Sequence, residues 1–316
     1  MDAAARRRAR GSVRTDVPVE DLEANKVKEA RCKKAFAVLR SKLAEARPEV
    51  LIVFGDDQGE QFRFENFPAF SIFVGEAFEG YKYSRHIGLP VRGAPRSERP
   101  KTPDNWTKVR GHPELARELM VGLIGRGFDP AFSTGLAVPD EGMGHAFMRP
   151  SFYLRPEYDI PTIPVAINCY YGPQPTGHRC YELGRAVRDI IEALPRTLRV
   201  AVIGSGGLWH TPNAPGAYID EAFDGATLAA LRAGDALRMA EHFDGHGAWP
   251  EPTNEETIDL ASGGTGMIGG LGGGTGEVRN WIAAAAVAHG RKGTVVDYVP
   301  IYASPVGAAF AYWDQP

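Results

Sequence analysis

One histidine of this sequence ends a glycine-rich loop that follows a short apolar run. The run extends from Leu198 to Ile203 and is followed by Gly-Ser-Gly-Gly-Leu-Trp and then His210. A β-branched run that stops at glycine predicts a buried strand with a tight loop at its carboxyl end. In open α/β sheets ligands bind at that edge, and glycines let the backbone approach them closely. His210 is therefore a candidate acid, base or metal ligand near neutral pH; a hydrogen bond to a neighbouring carbonyl is the alternative interpretation.

An acidic turn follows a second predicted strand, Val50–Phe54. Residues 55–61 read Gly-Asp-Asp-Gln-Gly-Glu-Gln, so the turn carries three carboxylates and two amides. One interpretation is a cluster of oxygen ligands or hydrogen-bond acceptors at the carboxyl edge of a strand. The other is a solvated acidic turn, which is the usual role of such a run.

Three further histidines lie in or beside glycine-containing segments. His145 lies in a predicted loop between glycines, and loops on rigid scaffolds often carry binding groups. An exposed histidine without a role is the alternative. His242 and His246 are four residues apart, but the glycines beside His246 argue against one continuous helix and no further zinc ligands are in register.

A glycine-dense segment, Ser262–Gly276, precedes a predicted helix that begins near Glu277. A glycine-rich loop before a helix is typical of phosphate sites. The segment has neither the Lys-Ser/Thr of a P-loop nor the strand and spaced acid of a dinucleotide site, which argues against that function. A carboxylate in the first turn of a helix is favourable even without a catalytic role.

Periodicity places these residues on an alternation of helices and strands. The strand 163–167, the helix 180–194 and the strand 198–203 predict a parallel βαβ unit. Residues 84–110 read as a surface excursion, and residues 1–20 as a flexible tail before a domain spanning 21–316. The remaining predicted elements are helices from 22 to 46, 113–125 and 222–242, a helix after 277, and strands at 67–74 and 294–298.

The composition limits the classes of partner. The chain has 316 residues, 43% hydrophobic and 24% charged, with a net charge of −3, so nothing favours nucleic acid or an anionic membrane surface. No long apolar segment predicts a transmembrane helix, and the arginine-rich first ten residues lead into no apolar signal region. Three cysteines without CxxC spacing indicate free thiols in a reducing, cytoplasmic compartment.

Taken together, these motifs resemble the class III extradiol ring-cleavage dioxygenases, the family of the protocatechuate 4,5-dioxygenase catalytic subunit. The branch similar to 3-O-methylgallate dioxygenase looks nearest. The resemblance runs from about Ala30 to the end of the chain. It is carried by Val53-Phe-Gly-Asp-Asp-Gln-Gly-Glu-Gln-Phe62, Gly144-His145, Gly177-His-Arg-Cys-Tyr-Glu-Leu-Gly-Arg185, Gly204-Ser-Gly-Gly-Leu-Trp-His210, and Gly276-Glu277 with Trp281.

The resemblance implies an α/β fold: a single domain with a largely parallel core sheet flanked by helices. It also implies Fe(II) held by two histidines and one glutamate, with open positions for a catecholate and dioxygen. By the same resemblance His210 is the acid/base residue and Glu277 is the carboxylate ligand. The resemblance also implies that His145 contacts the substrate, together with Ser205 and Gly206 in the loop of His210. The implied partners are a small aromatic diol and dioxygen, in a homo-oligomer or with a small second subunit.

Two departures from the family pattern concern the metal. The family's first iron histidine follows an N-terminal strand in a Gly-Thr-Ser-His-type turn, and this sequence has no histidine before His86. The second lies in an Asp-His turn, which here is part of the acidic turn 55–61. Asp57, Gln58 and Glu60 could supply oxygen ligands there, and oxygen donors favour harder ions than Fe(II).

Three functions remain open from the sequence. The first is extradiol cleavage of a catechol- or gallate-type acid such as protocatechuate or 3-O-methylgallate. The second is an inactive or non-oxygenase relative of the same fold, such as a pseudoenzyme or partner subunit. The third is metal-free or hard-metal chemistry with His210 as the base.

Overall fold

The computed structural model describes residues 18–62, 66–82, 101–171, 174–210, 218–246 and 274–314. Residues 1–17 of the predicted tail, 83–100 of the predicted excursion and 262–273 of the glycine-dense segment lie outside this set. Seven helices and nine strands lie within the described ranges. They are α1 (Leu22–Ala46), β1 (Val50–Gly55), β2 (Phe70–Phe73), β3 (Ala77–Tyr81), β4 (Trp106–Arg110), α2 (Pro113–Ile124), β5 (Ala131–Ser133), α3 (His145–Leu154), β6 (Thr162–Ile167), α4 (Gly177–Glu192), β7 (Val200–Gly204), α5 (Glu221–Ala233), α6 (Ala236–Gly245), α7 (Val278–Ala288), β8 (Thr294–Ile301) and β9 (Val306–Tyr312).

A five-stranded sheet forms the centre of the fold, in the order β5-β2-β6-β1-β7. β1 pairs in parallel with β6 on one side and with β7 on the other. β2 is antiparallel to β6 and parallel to β5. The core sheet is therefore largely parallel, as predicted, and the β6–α4–β7 unit crosses over β1. Two hairpins, β3–β4 and β8–β9, flank this sheet.

The central strand β1 is apolar at every position because both of its faces are covered. Val50, Ile52 and Phe54 pack with leucines of α2 and α4 and with Ile282 of α7. The alternate residues, Leu51 and Val53, pack on the opposite side with Phe147 and Met148 of α3. A strand buried on both faces has no polar alternation to show, which is why its sequence is one continuous apolar run.

Helix α1 is the longest, at 25 residues, and its ends follow from its sequence. The carboxylate of Asp21 caps its start by accepting a hydrogen bond from the N–H of Ala24, at 2.7 Å. Arg47 takes a left-handed conformation (φ 46°) before Pro48, which ends the helix as predicted. No helix in the described part of the chain is long and apolar enough to cross a membrane.

Two predicted segments differ from the observed elements. Residues 106–110 of the predicted surface excursion form β4, because they pair in register with β3. The predicted helix 222–242 is two helices, because Gly234 takes a left-handed conformation (φ 76°) and Asp235 then caps α6 by accepting from the N–H of Arg238.

Helices α4 and α7 approach each other closely at Gly184. A methyl group built there would lie 2.2 Å from the carbonyl oxygen of Ala283, and a backbone atom cannot rotate away. We expect Gly184→Ala to lower the free energy of unfolding by about 2 kcal/mol through overpacking. Gly225→Ala is the matched control, since Gly225 also lies in a helix but has open space around it. It should raise stability by about 0.5–1 kcal/mol through helix propensity. Urea denaturation of both variants checks the contrast, and equal effects would contradict it.

Candidate active site

The carboxyl ends of the three parallel strands deliver three loops to one edge of the sheet. They are residues 56–62 after β1, 168–171 after β6 and 205–210 after β7. His145, the first residue of α3, and Glu277, the residue before α7, lie at the same edge. The fold thus gathers the predicted site residues from four separate parts of the chain.

The half-buried His210 and the buried Glu277 form a pair at the centre of this edge. His210 Nδ1 lies 3.2 Å from Glu277 Oε2. The same carboxylate accepts the hydroxyl of Tyr170 and, at 2.6 Å, the N–H of Gly207. Burial alone would lower the pKa of His210, but the charge and hydrogen bond of Glu277 raise it above its usual value. For Glu277 burial raises the pKa, and the charge of His210 with the donated hydrogen bonds outweighs it and lowers the pKa to about 2.

The loop that carries His210 is held against the first turn of α7. Asn280 donates to the carbonyl of Ser205 at 2.9 Å, and the indole N–H of Trp281 donates to that of Gly206 at 3.0 Å. Gly206 has φ 116°, and a methyl group there would lie 2.6 Å from Glu277 Oε2. This close approach is what requires glycine at position 206. The backbone of Ser205 and Gly206 is therefore fixed beside Glu277, and their role as substrate contacts stays a prediction.

His145 is paired with Glu60. It begins α3 after Gly144, rather than lying in a loop as predicted, since Gly144 supplies the non-helical residue that precedes the helix. Glu60 Oε1 accepts the backbone N–H of His145 and lies 2.5 Å from its Nδ1. Burial would lower the pKa of His145, but the charge and hydrogen bond of Glu60 raise it to about 9. His145 is thus a cation at neutral pH, within a part of the protein that holds several acids.

The acidic turn after β1 is internally hydrogen-bonded. Asp57 accepts four backbone N–H groups, those of Gly59, Glu60, Gln61 and Phe62, at 2.9–3.2 Å. Glu60 Oε2 accepts the N–H of Gln58, and the Gln58 side chain donates to Asp56 at 3.1 Å. The predicted oxygen ligands therefore reach the right edge of the sheet, but Asp57 uses its oxygens to hold the turn itself.

Two residues at this edge were missed by sequence reasoning. Asp56 is 1% exposed, and burial together with the nearby charge of Glu277 raises its pKa to about 7. Tyr170 is buried, and its hydroxyl donates to Glu277. A signal for both was available, because each lies just past the carboxyl end of a strand in the parallel part of the sheet.

The side chains of this edge do not fit the iron set that the resemblance implies. Within the described ranges, no three His, Cys, Asp or Glu side chains lie together as metal ligands. Both oxygens of Glu277 accept protein hydrogen bonds, and the two imidazoles are each directed at a carboxylate. A 2-His-1-carboxylate centre needs three such groups to point at one ion. The arrangement is one of two imidazole–carboxylate pairs instead.

Asp224 fixes the residue before His210. Its carboxylate accepts the N–H of Trp209 at 2.8 Å and the hydroxyl of Tyr298 at 2.6 Å. Burial raises its pKa to about 7, against the opposing effect of these bonds. The folded state therefore holds this proton more tightly than the unfolded state, so stability is greatest below about pH 4 and falls as pH rises towards 7.

We expect Asp224→Asn to remove this part of the pH dependence. The free energy of unfolding of the variant minus that of the wild type should increase by roughly 2–4 kcal/mol as the pH rises from 4 to 8. Urea denaturation at both pH values measures it, with the exposed Asp189→Asn as the control that leaves the slope unchanged. A difference between Asp224→Asn and wild type that is the same at both pH values would contradict the prediction.

Comparison with known proteins adds a family and named relatives. The model of the catalytic LigB subunit of aromatic ring-opening dioxygenase matches residues 17–305. Gallate dioxygenase of Pseudomonas putida is 32% identical over 111 residues, which cover 34% of this chain and 31% of that enzyme. The 2,3-dihydroxyphenylpropionate/2,3-dihydroxicinnamic acid 1,2-dioxygenase of Photorhabdus laumondii is 26% identical over 291 residues, covering 82% of this chain and 81% of that enzyme. The crystal structure of an uncharacterized protein from Escherichia coli K12 has a TM-score of 0.49 at 14% identity, and the match covers 87% of this chain and 91% of that one.

Proposed function

Since this chain belongs to the family of catalytic LigB subunits of aromatic ring-opening dioxygenases, we propose that it binds an aromatic diol beside His210 and holds it as a phenolate. The observation that carries the proposal is the pair of imidazole–carboxylate contacts, His210–Glu277 and His145–Glu60, in which half-buried histidines meet buried carboxylates at one edge of the sheet. Asp56 lies within electrostatic reach of both pairs. Paired groups with shifted pKa values at a strand edge are typical of acid/base sites.

In this mechanism His210 takes the proton of a phenol hydroxyl. Glu277 stabilises the imidazolium that results, and the hydroxyl of Tyr170 with the N–H of Gly207 keeps that carboxylate in place. His145 supplies a second positive charge, because Glu60 keeps it protonated at neutral pH. The complex then contains two cationic imidazoles and an anionic ring, and their attraction is favourable because the two histidines are partly withdrawn from water.

The substrate class that we propose is a catechol- or gallate-type acid such as protocatechuate or 3-O-methylgallate. Its support is the similarity to enzymes named for gallate and for dihydroxyphenylpropionate. Both names describe rings with adjacent hydroxyl groups and a carboxylate. Such rings offer one phenol proton to His210 and negative charge to His145.

Extradiol ring cleavage is the second candidate function, and family membership favours it. The described residues do not fit the Fe(II) of the family, so no step of our mechanism passes through iron. We expect weak, substoichiometric iron after anaerobic Fe(II) reconstitution and slow oxygen uptake with each substrate. One tightly bound iron per chain with rapid uptake would show that this chain is a ring-cleavage dioxygenase.

Calorimetry tests the proposed binding. The chain is titrated at pH 7 with protocatechuate, gallate and 3-O-methylgallate, each in two buffers of different ionisation enthalpy. Because His210 keeps the phenol proton within the complex, the heat of binding should not depend on the ionisation enthalpy of the buffer, and the bound diol should show the ultraviolet absorption of a phenolate. Absence of heat with all three compounds, release of a full proton to the buffer, or a bound diol with the absorption of the neutral phenol would count against the proposal.

A further inference from the structure

The loop that ends at His210 is held by hydrogen bonds along its main chain. Backbone carbonyl groups accept three of its N–H groups, those of Ser205, Leu208 and His210. Two more donate to buried carboxylates, that of Gly207 to Glu277 and that of Trp209 to Asp224, the latter at 2.8 Å. Glu277 also contacts the His210 ring, whereas Asp224 reaches the histidine through the Trp209 peptide.

Asp224 joins helix α5 to the hairpin β8–β9 at the Trp209 peptide. Its side chain is fully buried, and Oδ2 accepts the hydroxyl of Tyr298 in β8 at 2.6 Å. The carbonyl of Trp209 in turn accepts the N–H of Gly307 in β9 at 2.7 Å. A methyl group built at Gly307 would clash with Asp224 Oδ2, so β9 lies directly against the carboxylate. Both polar main-chain groups of Trp209 are thus bound, one by α5 and the other by β9.

The Trp209 side chain keeps this peptide from shifting. The indole is 1% exposed and packs against the rings of Tyr218 and Phe223, whose centroids lie 5.0 and 5.8 Å away. The next N–H is fixed as well, because that of His210 donates to the carbonyl of Gly274 at 2.7 Å. With its main chain held at two successive peptides, the His210 ring can move only by rotation about its side-chain bonds.

The contact that depends on this position is the one between His210 and Glu277. The distance from His210 Nδ1 to Glu277 Oε2 is 3.2 Å, at the upper end of the range for such bonds. A displacement of the ring by about 0.5 Å would therefore break it. We propose that Asp224 is the positioning residue of His210: by binding the Trp209 N–H, it keeps the imidazole in contact with Glu277 and in reach of the phenol hydroxyl. The reach of the phenol rests on the proposed function, whereas the contact with Glu277 does not.

Three variants of the full chain separate positioning from a general loss of stability. Asp224→Ala removes the acceptor of the Trp209 N–H. Asp224→Asn keeps it, because the amide oxygen accepts that N–H while the amide nitrogen donates to the Tyr298 hydroxyl. Tyr298→Phe is the matched control, since it removes the other contact of the carboxylate and leaves the one to Trp209. If Asp224→Ala does not fold, Asp224→Val replaces it, because its methyl groups fill the space of the carboxylate.

The first measurement needs no diol. Nitrogen NMR of histidine-labelled protein at pH 7 reports the hydrogen bond at His210 Nδ1, and the His210→Gln variant assigns the resonance. We expect Asp224→Ala to shift this resonance towards that of a histidine in water. Asp224→Asn and Tyr298→Phe should keep the wild-type value, although Tyr298→Phe unfolds at a lower urea concentration than the wild type.

The second measurement is the titration with protocatechuate. Asp224→Ala should bind the diol about tenfold more weakly, because the displaced imidazole no longer bonds to the phenol oxygen. The bound diol should also show less phenolate absorption at saturation. Asp224→Asn should restore both quantities, and Tyr298→Phe should leave both unchanged.

The positioning role of Asp224 is wrong if Asp224→Ala keeps the wild-type His210 resonance. It is equally wrong if Asp224→Asn or Tyr298→Phe shifts the resonance as far as Asp224→Ala does, since the effect then follows the loss of stability and not the bond to Trp209. A wild type that binds no diol would contradict the proposed function. The expected shifts of the His210 resonance in that protein would still support the positioning role.

Discussion

Replacing His210 by glutamine is expected to weaken binding of a catechol-type acid by about 10- to 100-fold and to leave the bound diol un-ionised. The glutamine keeps a similar size but cannot hold the phenol proton, so the diol stays neutral in the complex. Hydrogen bonds to charged groups contribute about 1.5–3 kcal/mol, which corresponds to that range of affinity. Calorimetry measures the affinity, and the ultraviolet absorption of the bound diol measures its ionisation.

The matched control is His178→Gln. His178 lies exposed in the first turn of α4, where it pairs with Glu182 and not with a residue of the site. The control variant should leave the affinity and the ionisation of the bound diol as in the wild type. If the diol bound to His210→Gln is still a phenolate, another group takes the proton, and the assignment of His210 as the acid/base residue is wrong.

The sequence predicted the helices and strands better than it predicted which strands pair with each other. The apolar run of β1 predicted a strand, and the β6–α4–β7 segment predicted a parallel unit, and the structure confirms both. The run 198–203 predicted a buried strand, and this was wrong, because β7 is the edge strand of the sheet and is only half-buried at every position. That β1 lies between β6 and β7 could not be read from the chain, because pairing between strands more than a hundred residues apart leaves no local pattern. The same holds for β4, whose charged residues read as surface until β3 is seen beside it.

The site shows the same limit at the scale of single residues. Asp56 and Asp57 are adjacent acids, and composition cannot tell which one faces the interior of the site. In the structure Asp57 turns back to hold four N–H groups of its own loop, while Asp56 faces Glu277. His145 and Glu60 are 85 residues apart, so their pairing depends on how α3 docks on the sheet. Local sequence patterns predicted the loops of the site, whereas tertiary packing determines which of their side chains pair.

The second large effect that we expect is a loss of stability when Glu277 is replaced by glutamine. The carboxylate accepts from Tyr170 and Gly207 and pairs with His210, so it has only acceptor roles. An amide nitrogen in that place must face at least one of these donors, and the half-buried His210 loses its counter-charge. Breaking a buried ion pair from one side costs about 3–5 kcal/mol. Relief of repulsion with Asp56 offsets part of that loss.

Urea denaturation at pH 7 measures the loss, with Glu182→Gln as the control. Glu182 pairs with Arg179 on an exposed helix surface, where removing an ion pair changes stability by less than about 1 kcal/mol. The two interpretations of Glu277 predict changes in stability of opposite sign when the carboxylate is removed. A carboxylate whose role is to ligate a metal repels its acidic neighbours in protein prepared without metal, so its removal should stabilise that protein. A carboxylate kept as the partner of His210 is already satisfied by protein donors, so its removal should destabilise it. A Glu277→Gln variant as stable as the wild type would therefore favour the metal-ligand role over the imidazole–carboxylate pair.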